Sequence, residues 1–444
     1  MSTTPVLAVL PFLAYLLGVA LLPLFFGPFW ERHRNKLIVA LASSAPVVWY
    51  LLSARAGGGA LLGHAACDYL SFIALLAALF TISGGILLRG ALSGSPRVNV
   101  GLLAVGAVLA NVVGTTGASM LLIRPFLRAN ARRVHATHLV VFFIFVVSNT
   151  GGLLTPLGDP PLFLGFLRGV PFTWTLRLTP QWAMVNGALL AIFTVIDRIQ
   201  FARDRRLPPR APATPLAADA TGPLRVEGGL NLLWLAGIVI VVVLVRSIGA
   251  PARGDGYVRA AVQIAGMSAF AVLSFQTTAK RLHEVNRFSW APLIEVAAVF
   301  MGVFATMVPA LSYLAERGST FGLTRPGQFF WATGALSSVL DNAPTYLAFT
   351  SLATGVANAL GAGGLSPTDL GALAADPIGG RLLAALSCGA VFMGAMTYLG
   401  NGPNFMVKAI AEQHGVRTPS FFAYALWSFA ILLPLFGLVS HTFF

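Results

Sequence analysis

The sequence predicts an all-α polytopic membrane protein with about ten transmembrane helices and two re-entrant hairpins, in two inverted repeats whose helices are broken at the midplane. Composition is the first observation behind this fold class. Of the 444 residues, 57% are hydrophobic and 10% are charged, whereas about a quarter of an average soluble protein is charged. Apolar runs long enough to cross a bilayer also recur along the chain, and similar Gly/Pro interruptions occupy corresponding places in its two halves. Secreted enzymes, nucleic-acid-binding proteins and coiled coils are therefore excluded.

Ten apolar runs, each bounded by charged residues, Gly or Pro, are predicted to span the membrane. They cover residues 5–26, 37–53, 68–88, 137–167, 179–199, 229–248, 257–276, 290–314, 381–411 and 419–440. Two further apolar stretches, 98–127 and 326–357, are interrupted by Gly114-Thr115-Thr116-Gly117 and by Asp341-Asn342-Ala343-Pro344. We expect each stretch to form a hairpin of two half-helices that enter and leave the membrane on one side.

The net charge of +14 is typical of loops that set membrane topology, because Lys and Arg concentrate in cytoplasmic loops. With both termini outside, most basic residues fall in predicted inner segments. These residues are Arg32, Arg34, Lys36, Arg89, Arg97, Arg124, Arg128, Arg132, Arg133, the basic residues between 198 and 225, Lys280, Arg281, Arg287, Lys408 and Arg417. We therefore expect a multi-pass protein of the cell (plasma or inner) membrane, with external termini, an inward-opening first hairpin and an outward-opening second hairpin.

A Pro-rich segment, 203–228, divides the chain and is predicted to be a cytoplasmic linker, since it contains five prolines and no apolar run. The first repeat, 1–202, contains five spans, the hairpin 98–127 and a broken helix at 137–167. The second repeat, 229–444, contains five spans, the hairpin 326–357 and a broken helix at 381–411. Residues 155–161 align with residues 397–403, so the repeat is visible in the sequence as well as in hydropathy.

The two broken helices are predicted from clusters of Gly and Pro, which remove hydrogen-bond donors and stiffness from a helix. The hinge residues are Gly151, Gly152, Pro156 and Gly158 in the first break, and Gly400, Gly402 and Pro403 in the second. Unwound segments at membrane depth expose carbonyl groups and helix ends that bind ions. A Pro kink that serves only packing is the alternative for either break alone, but two matched breaks facing hairpin tips favour a binding site.

Three acidic residues, Asp159, Glu295 and Asp341, are predicted to lie at membrane depth, where a charged carboxylate costs at least ~2.5 kcal/mol. Burial favours the protonated form of a carboxylate, and oxygen ligands suit hard cations, so such a site can hold either a proton or Na⁺. Structural alternatives stay open for each residue. Asp341 also suits a helix N-cap, Asp159 a turn, and Glu295 a buried hydrogen bond.

Neutral oxygen ligands for an ion cluster at the hairpin tips and breaks. They belong to Thr115, Thr116, Asn149, Thr150, Thr155, Asn342, Thr345, Thr397, Asn401 and Asn404. The histidines show no paired spacing typical of a transition-metal site. Cys67 and Cys388 have no spacing motif for a disulfide.

An enzyme is the less favoured class. Two intramembrane aspartates are typical of aspartyl intramembrane proteases, but the Gly-x-Gly-Asp pattern of that class would need glycine where Pro156 stands. The motifs of zinc proteases, serine hydrolases and P-loop proteins are also absent from the sequence. A channel is a further alternative, although hairpins and an inverted repeat favour alternating access.

Three motifs, at residues 149–161, 340–345 and 400–405, together resemble the ion transporter superfamily. Within it, the chain is most similar to sodium:proton antiporters related to the NhaD-type and citrate/arsenite permease families, over nearly its whole length. The resemblance implies a homodimer with a scaffold domain and an elevator-like transport domain, in which sodium binds between tips and breaks. The dicarboxylate branch has Ser-Asn-Thr at both tips, whereas here Ser148-Asn149-Thr150 stands at the first break, which argues against carboxylate substrates.

The sequence therefore predicts a secondary transporter that needs no cofactor. We expect a Na⁺/H⁺ antiporter with elevator-type alternating access, in which Asp341 and Asp159 exchange a proton for sodium. The alternative is a Na⁺- or H⁺-coupled transporter of an organic anion such as citrate or a dicarboxylate. The expected partners are the lipid bilayer, Na⁺, H⁺, in the alternative a small organic anion, and a second copy of the chain, but no nucleic acid.

Overall fold

The computed structural model describes residues 4–30, 32–55, 57–90, 92–207, 222, 225–247, 255–286 and 288–444. The chain is almost entirely helical within these residues. Most of the predicted linker at 203–228, and Arg287 of the predicted inner segments, lie outside them.

The described residues of the first half form eight α-helices and one short strand. These are α1 (Leu10–Phe25), α2 (Gly27–Trp30), α3 (His33–Ala54), α4 (Gly58–Gly84), β1 (Leu87–Arg89), α5 (Pro96–Ala129), α6 (Thr137–Val146), α7 (Pro160–Leu167) and α8 (Thr179–Asp204). Short 3₁₀ turns lie at Val6–Ala8, Thr150–Leu153 and Phe172–Leu178.

In the second half, the residues that the structure describes form one strand and ten α-helices. These are β2 (Arg225–Glu227), α9 (Leu230–Ser247), α10 (Asp255–Thr277), α11 (Lys280–Val285), α12 (Ala291–Arg317), α13 (Pro326–Ser337), α14 (Asn342–Ala359), α15 (Leu370–Ala375), α16 (Pro377–Met393), α17 (Gly402–Gln413) and α18 (Phe421–Phe443). Strands β1 and β2 pair antiparallel, with Leu88 opposite Val226. The sequence did not predict this ribbon, which ties the start of the second half to the end of α4.

Nine helices of the described chain are long and apolar enough to cross a membrane, which confirms the polytopic helical class. One of the nine is Pro96–Ala129, the stretch predicted as the first hairpin. Two predicted spans appear instead as shorter apolar helices, Thr137–Leu153 and Leu230–Val245. The first of these is short because the broken helix is interrupted near its middle.

Helix α5 folds back on itself at Gly114, whose φ of 77° and ψ of 157° are not helical. Its two ends lie side by side, where the side-chain amides of Asn99 and Asn130 exchange hydrogen bonds of 3.0 and 2.7 Å. The stretch therefore forms a hairpin with its tip at the predicted glycine. Re-entry into the membrane from one side stays a prediction.

The second hairpin consists of α13 and α14, joined by residues 338–341. The arms pack together, with the rings of Phe329 and Phe349 in edge contact at 6.3 Å. Asp341 caps α14, since its Oδ1 accepts a hydrogen bond of 3.2 Å from the Ala343 backbone N–H. This contact is the structural role expected of an Asp that precedes a helix.

The helices pack into two bundles. We call α1–α4 with α9–α12 the first bundle, in which α3 packs on α12 and α10 packs on α4 and α9. We call α5–α8 with α13–α18 the second bundle, in which α13 packs on α16 and α5 packs on α8 and α17. The bundles meet where α12 contacts α14 and α4 contacts α5. Both hairpins and both broken helices thus lie in one bundle.

A buried charge network holds α5, α6 and α8 together in the second bundle. Asp197 of α8 is fully buried and accepts hydrogen bonds from Arg133 at 2.7 Å, from His138 at 2.9 Å and from Asn99 at 2.9 Å. Arg133 also binds Asp204, at 2.6 Å. The sequence placed Asp197 near a span end and did not predict its burial.

The substitution Asp197→Asn is expected to destabilise the protein by about 3 kcal/mol, because removing one partner of a buried ion pair leaves the other charge uncompensated. Unfolding of purified protein in detergent, followed by circular dichroism against temperature, measures the loss. Glu412→Gln is the matched control. Its pair with Lys408 is solvent-exposed and spans 3.4 Å, so its loss should cost less than about 1 kcal/mol. Equal effects of the two changes would contradict this account of the network.

Candidate functional site

Each predicted break is an irregular segment between two helices. Helix α6 ends at Val146 and α7 begins at Pro160, with one 3₁₀ turn between them. Helix α16 ends at Met393 and α17 begins at Gly402, again after one 3₁₀ turn. A proline lies in the first turn of the helix that follows each break, α7 or α17. Proline suits this position because the N–H groups there have no partner within the helix.

Glycine allows the two breaks to close into tight turns. A Cβ on Gly158 would collide with the carbonyl oxygen of Gly152, and a Cβ on Gly400 would lie 2.6 Å from that of Gly394. The two contacts occupy equivalent positions of the aligned segments. The same turn therefore occurs in both halves.

The carboxylate of Asp159, at the end of the first break, connects all four irregular segments. Its Oδ1 accepts hydrogen bonds from the Thr115 hydroxyl at 2.9 Å and from the Asn401 amide at 3.2 Å. Its Oδ2 accepts a hydrogen bond of 2.5 Å from the Asn342 amide. Thr115 is at the first tip, Asn342 at the second tip and Asn401 in the second break. Asp159 is itself 1% exposed, so these contacts replace water.

A second acid and a free oxygen atom lie beside this carboxylate. Asn342 is fully buried, and its Oδ1 has no hydrogen-bond partner. Asp341 precedes it, and the backbone oxygen of Asp341 accepts a hydrogen bond of 3.1 Å from the Thr345 hydroxyl. Among the described residues, no Lys, Arg or His pairs with Asp159 or Asp341. Oxygen atoms gathered without a basic partner suit a proton or a hard cation.

The two breaks are joined directly by amide side chains. Asn149 donates to the Oδ1 of Asn404 at 2.7 Å, and Asn401 donates to the Oδ1 of Asn149 at 3.2 Å. Asn404 in turn donates to the backbone oxygens of Gly394 at 2.8 Å and Thr397 at 2.9 Å. In this structure, these predicted ion ligands stabilise the crossing of the two breaks.

The predicted ligands Thr155 and Thr397 make equivalent contacts. The Thr155 hydroxyl donates to the backbone oxygen of Asn111, near the first tip. The Thr397 hydroxyl donates to the backbone oxygen of Ser338, near the second tip, at 2.5 Å. Each break is thereby attached to the hairpin of its own half.

The last helix of each half holds the carbonyl groups of the adjacent break, which the sequence analysis missed. In α8, Trp182 donates to the Gly151 oxygen at 2.8 Å, and Asn186 donates to the Thr150 oxygen at 3.2 Å. In α18, Tyr424 and Ser428 donate to the oxygens of Ala395 and Met396, both at 2.7 Å. The interval of 242 residues between Asp159 and Asn401 also separates Trp182 from Tyr424 and Asn186 from Ser428. Extending the repeat alignment into these helices would have found them.

Glu295 does not lie in this cluster. Its carboxylate pairs with the Lys36 ammonium at 2.5 Å within the first bundle, and its side chain is 47% exposed whereas that of Lys36 is 3% exposed. A buried ammonium group needs a counter-charge, and Glu295 supplies it for Lys36. The structure thus places Glu295 apart from the two aspartates, and its part in proton exchange stays a prediction.

A cavity of about 130 Å³ separates the Asp159 region from the first bundle. Its walls come from the first tip, the first break, the start of α17, and α4 and α12. Thr116, Pro156 and Asp159 line it together with apolar residues such as Leu79 and Val296. No Lys, Arg or His is among its described lining residues. Asp159 therefore lies at the interface between the two bundles.

Gly114→Ala is expected to disturb the site, because residue 114 has a φ of 77° and a Cβ there would lie 3.2 Å from the Leu157 oxygen. Strain of this kind costs about 1–3 kcal/mol, and it would displace Thr115 from Asp159. Thermal unfolding of the purified protein measures the loss of stability. The affinity for sodium, obtained by titration, measures the displacement of Thr115.

Gly101→Ala in the same helix is the control, since a Cβ there meets nothing within 4 Å. That change should leave the sodium titration unaltered and stabilise the helix by roughly 0.5–1 kcal/mol. A Gly114→Ala protein as stable as the Gly101→Ala protein would contradict the predicted strain.

A polytopic helical protein whose broken helices and hairpins meet at a buried carboxylate has the architecture of a secondary transporter rather than an enzyme. The comparison with known families agrees. A family model described as "Putative citrate transport" matches residues 1–444, so the chain belongs to that family. The match supports the expected transporter class and does not distinguish sodium:proton antiporters from citrate carriers.

Relatives with curated names are also transporters. The chain is 24% identical over 337 residues to an uncharacterized transporter of Synechocystis sp., a match that covers 71% of this chain and 70% of the relative. It is 27% identical over 332 residues to uncharacterized transporters of Mycobacterium bovis and Mycobacterium tuberculosis, covering 72% of this chain and 71% of each relative. The chain is accordingly a multi-pass secondary transporter.

Proposed function

We propose that this chain is a Na⁺/H⁺ antiporter in which Asp159 and Asp341 exchange a proton for a sodium ion. The observation that carries the proposal is the Asp159 carboxylate, which is buried, bonded to both tips and the opposite break, and without a basic partner among the described residues. A fixed positive charge would be expected beside it if the site had evolved to bind only anions.

Competition between the two ions follows from the chemistry of the site. A protonated Asp159 would be neutral and could remain buried without a counter-ion. A deprotonated Asp159 would need a cation, and the unpartnered Oδ1 of Asn342 offers a further oxygen ligand. Since the same carboxylate cannot hold a proton and coordinate sodium at full strength, release of one ion promotes uptake of the other.

Alternating access would come from movement of the second bundle against the first. All the residues that hydrogen-bond to Asp159 belong to the second bundle, so the site can move as one body. The walls that α4 and α12 contribute to the cavity beside Asp159 are apolar, with Phe72, Leu75, Leu79 and Val296 among them. An apolar surface has few hydrogen bonds to break when one bundle slides along the other.

Coupled transport of citrate is the second candidate, and the family description favours it. The described residues around the cavity include no basic side chain, so citrate carboxylates could bind there only after sodium had supplied positive charge. In that case the two aspartates would serve coupling rather than exchange. The same protein preparation can separate the two functions.

The deciding experiment uses purified protein in liposomes with a trapped pH dye and an imposed Na⁺ gradient. Proton movement opposite to sodium, in the absence of any organic anion and absent from empty liposomes, is the expected result. A dye signal that appears only after citrate is added would favour the second candidate. A sodium-coupled citrate carrier need not move protons, so uptake of radiolabelled citrate driven by the Na⁺ gradient is measured as well. A silent dye together with no such uptake would reject both functions.

Asp159→Asn and Asp341→Asn are each expected to reduce Na⁺/H⁺ exchange to the level of empty liposomes. Asparagine keeps the size of the side chain, and at position 341 it keeps the capping contact, but it cannot bind and release a proton. The dye assay above measures exchange, and size-exclusion chromatography tests the fold. Glu412→Gln removes a carboxylate far from the cluster and should exchange at the native rate. Exchange that survives in Asp341→Asn would remove this residue from the mechanism.

A further inference from the structure

One ion pair between described residues joins the two bundles. The Arg168 Nε donates to the Asp68 Oδ2 at 3.3 Å, and these residues lie at the end of α7 and in α4. The other ion pairs between described residues lie within one bundle, as Arg55–Glu316 does in the first and Arg133–Asp197 does in the second, or between β1 and β2, as Arg89–Glu227 does. The Asp68–Arg168 pair is therefore sensitive to the relative position of the bundles.

Arg168 is held firmly in the second bundle. It is the C-cap residue of α7, and its backbone oxygen accepts a hydrogen bond of 2.6 Å from the Leu370 N–H at the start of α15. Asp68 lies in the first half of α4, a helix that packs on α10 and α12 of the first bundle. Any sliding of one bundle along the other must therefore lengthen the contact between the two side chains.

The pair lies toward one end of the bundle interface, and the site cavity lies toward the other. The cavity is lined by α4 from Phe72 to Phe80 and by the first turns of α12, whereas Asp68 precedes these residues in α4. By the predicted topology, the cavity faces the inner side and the ion pair faces the outer side. The ion pair thus bridges the bundles at the end opposite the site cavity, where both of its side chains line a second cavity of about 490 Å³.

We propose that the Asp68–Arg168 ion pair is an outer latch, which holds the bundles together in this state and breaks whenever the second bundle moves. The proposal rests on the proposed alternating access but not on which ion is carried. Both side chains are partly exposed, at 22% for Asp68 and 11% for Arg168, so the pair contributes only modestly to stability and can open in each cycle. The fully buried Asp197–Arg133 pair would be unsuited to this role.

A native thiol beside the latch can report on it. Cys67 is partly exposed and lines a cavity of about 180 Å³ together with Asp68 and, from the second bundle, Phe166 and Leu167. Separation of the bundles would remove Phe166 and Leu167 and expose the thiol. Cys388, the other cysteine, is fully buried, so a membrane-impermeant maleimide should label Cys67.

The test compares maleimide labelling rates of purified protein carrying Asp68→Asn or Arg168→Gln. Either change should raise the rate at Cys67 about fivefold, the effect of losing a partly exposed ion pair worth about 1 kcal/mol. Each rate is divided by the rate of the same variant in denaturant, which corrects for the effect of the neighbouring residue 68 on the intrinsic reactivity of the thiol. Removal of a negative and of a positive charge changes the reactivity of a nearby thiol in opposite directions, so a rise in both variants reports separation of the bundles. The double variant Asp68→Arg with Arg168→Asp, which restores the pair in reverse, should label near the native rate.

Glu316→Gln is the matched control, because it removes an ion pair of 3.8 Å with Arg55 that lies within the first bundle. Its labelling rate should equal that of the native protein, and Cys67→Ser should label at the background rate. Size-exclusion chromatography and thermal unfolding establish that each variant is folded. If Arg168→Gln does not fold, Arg168→Lys takes its place in the labelling experiment.

Unchanged labelling in both single variants, or no recovery in the charge-swapped protein, would overturn the latch. Labelling needs no transported ion, so the latch and the antiport proposal can fail separately. A latch confirmed in a protein that is silent in the liposome assay would retain the two-bundle movement and reject only the assigned ions.

Discussion

The architecture of the site depends on the hydrogen bonds that one buried carboxylate accepts. Asp159 binds Thr115, Asn342 and Asn401, which brings two hairpin tips and the opposite break to the end of its own break. A buried carboxylate is costly unless such partners surround it. The four irregular segments are therefore interdependent, since displacing any one of them removes a donor from the same charge.

The contacts within the second bundle differ in kind from the contacts between the two bundles. Trp182 and Asn186 in α8, and Tyr424 and Ser428 in α18, occupy carbonyl groups that the unwound helices would otherwise leave unpaired. Contacts within the second bundle thus include buried and charged hydrogen bonds. Between the bundles, the site cavity is walled by apolar side chains and the ion pair is partly exposed. The contacts that hold the site together are thus more polar and more buried than these two features of the boundary between the bundles.

Local chemistry determined how much could be predicted from the sequence. The first hairpin tip at Gly114 and the two breaks follow from Gly and Pro, whose backbone properties need no tertiary information, and the apolar runs follow from the thickness of a bilayer. The pairing of Glu295 with Lys36 could not be predicted, because these residues are distant in sequence and become neighbours only in the fold. Asp197 and the β1–β2 ribbon were missed for the same reason. The linker at 203–228 lies largely outside the described residues, and the inverted relation of the halves stays a prediction.

The repeated turns have a consequence for the energetics of the two end states. Gly158 and Gly400 close equivalent turns, and Thr155 and Thr397 make equivalent attachments to their own hairpins, whereas the acids occupy unmatched positions, Asp159 in a break and Asp341 at a tip. In the proposed alternating access, a frame that repeats its backbone contacts would give the inward- and outward-facing arrangements similar free energies. Such a transporter would be reversible, and the direction of transport would be set by the chemical potentials on either side of the membrane.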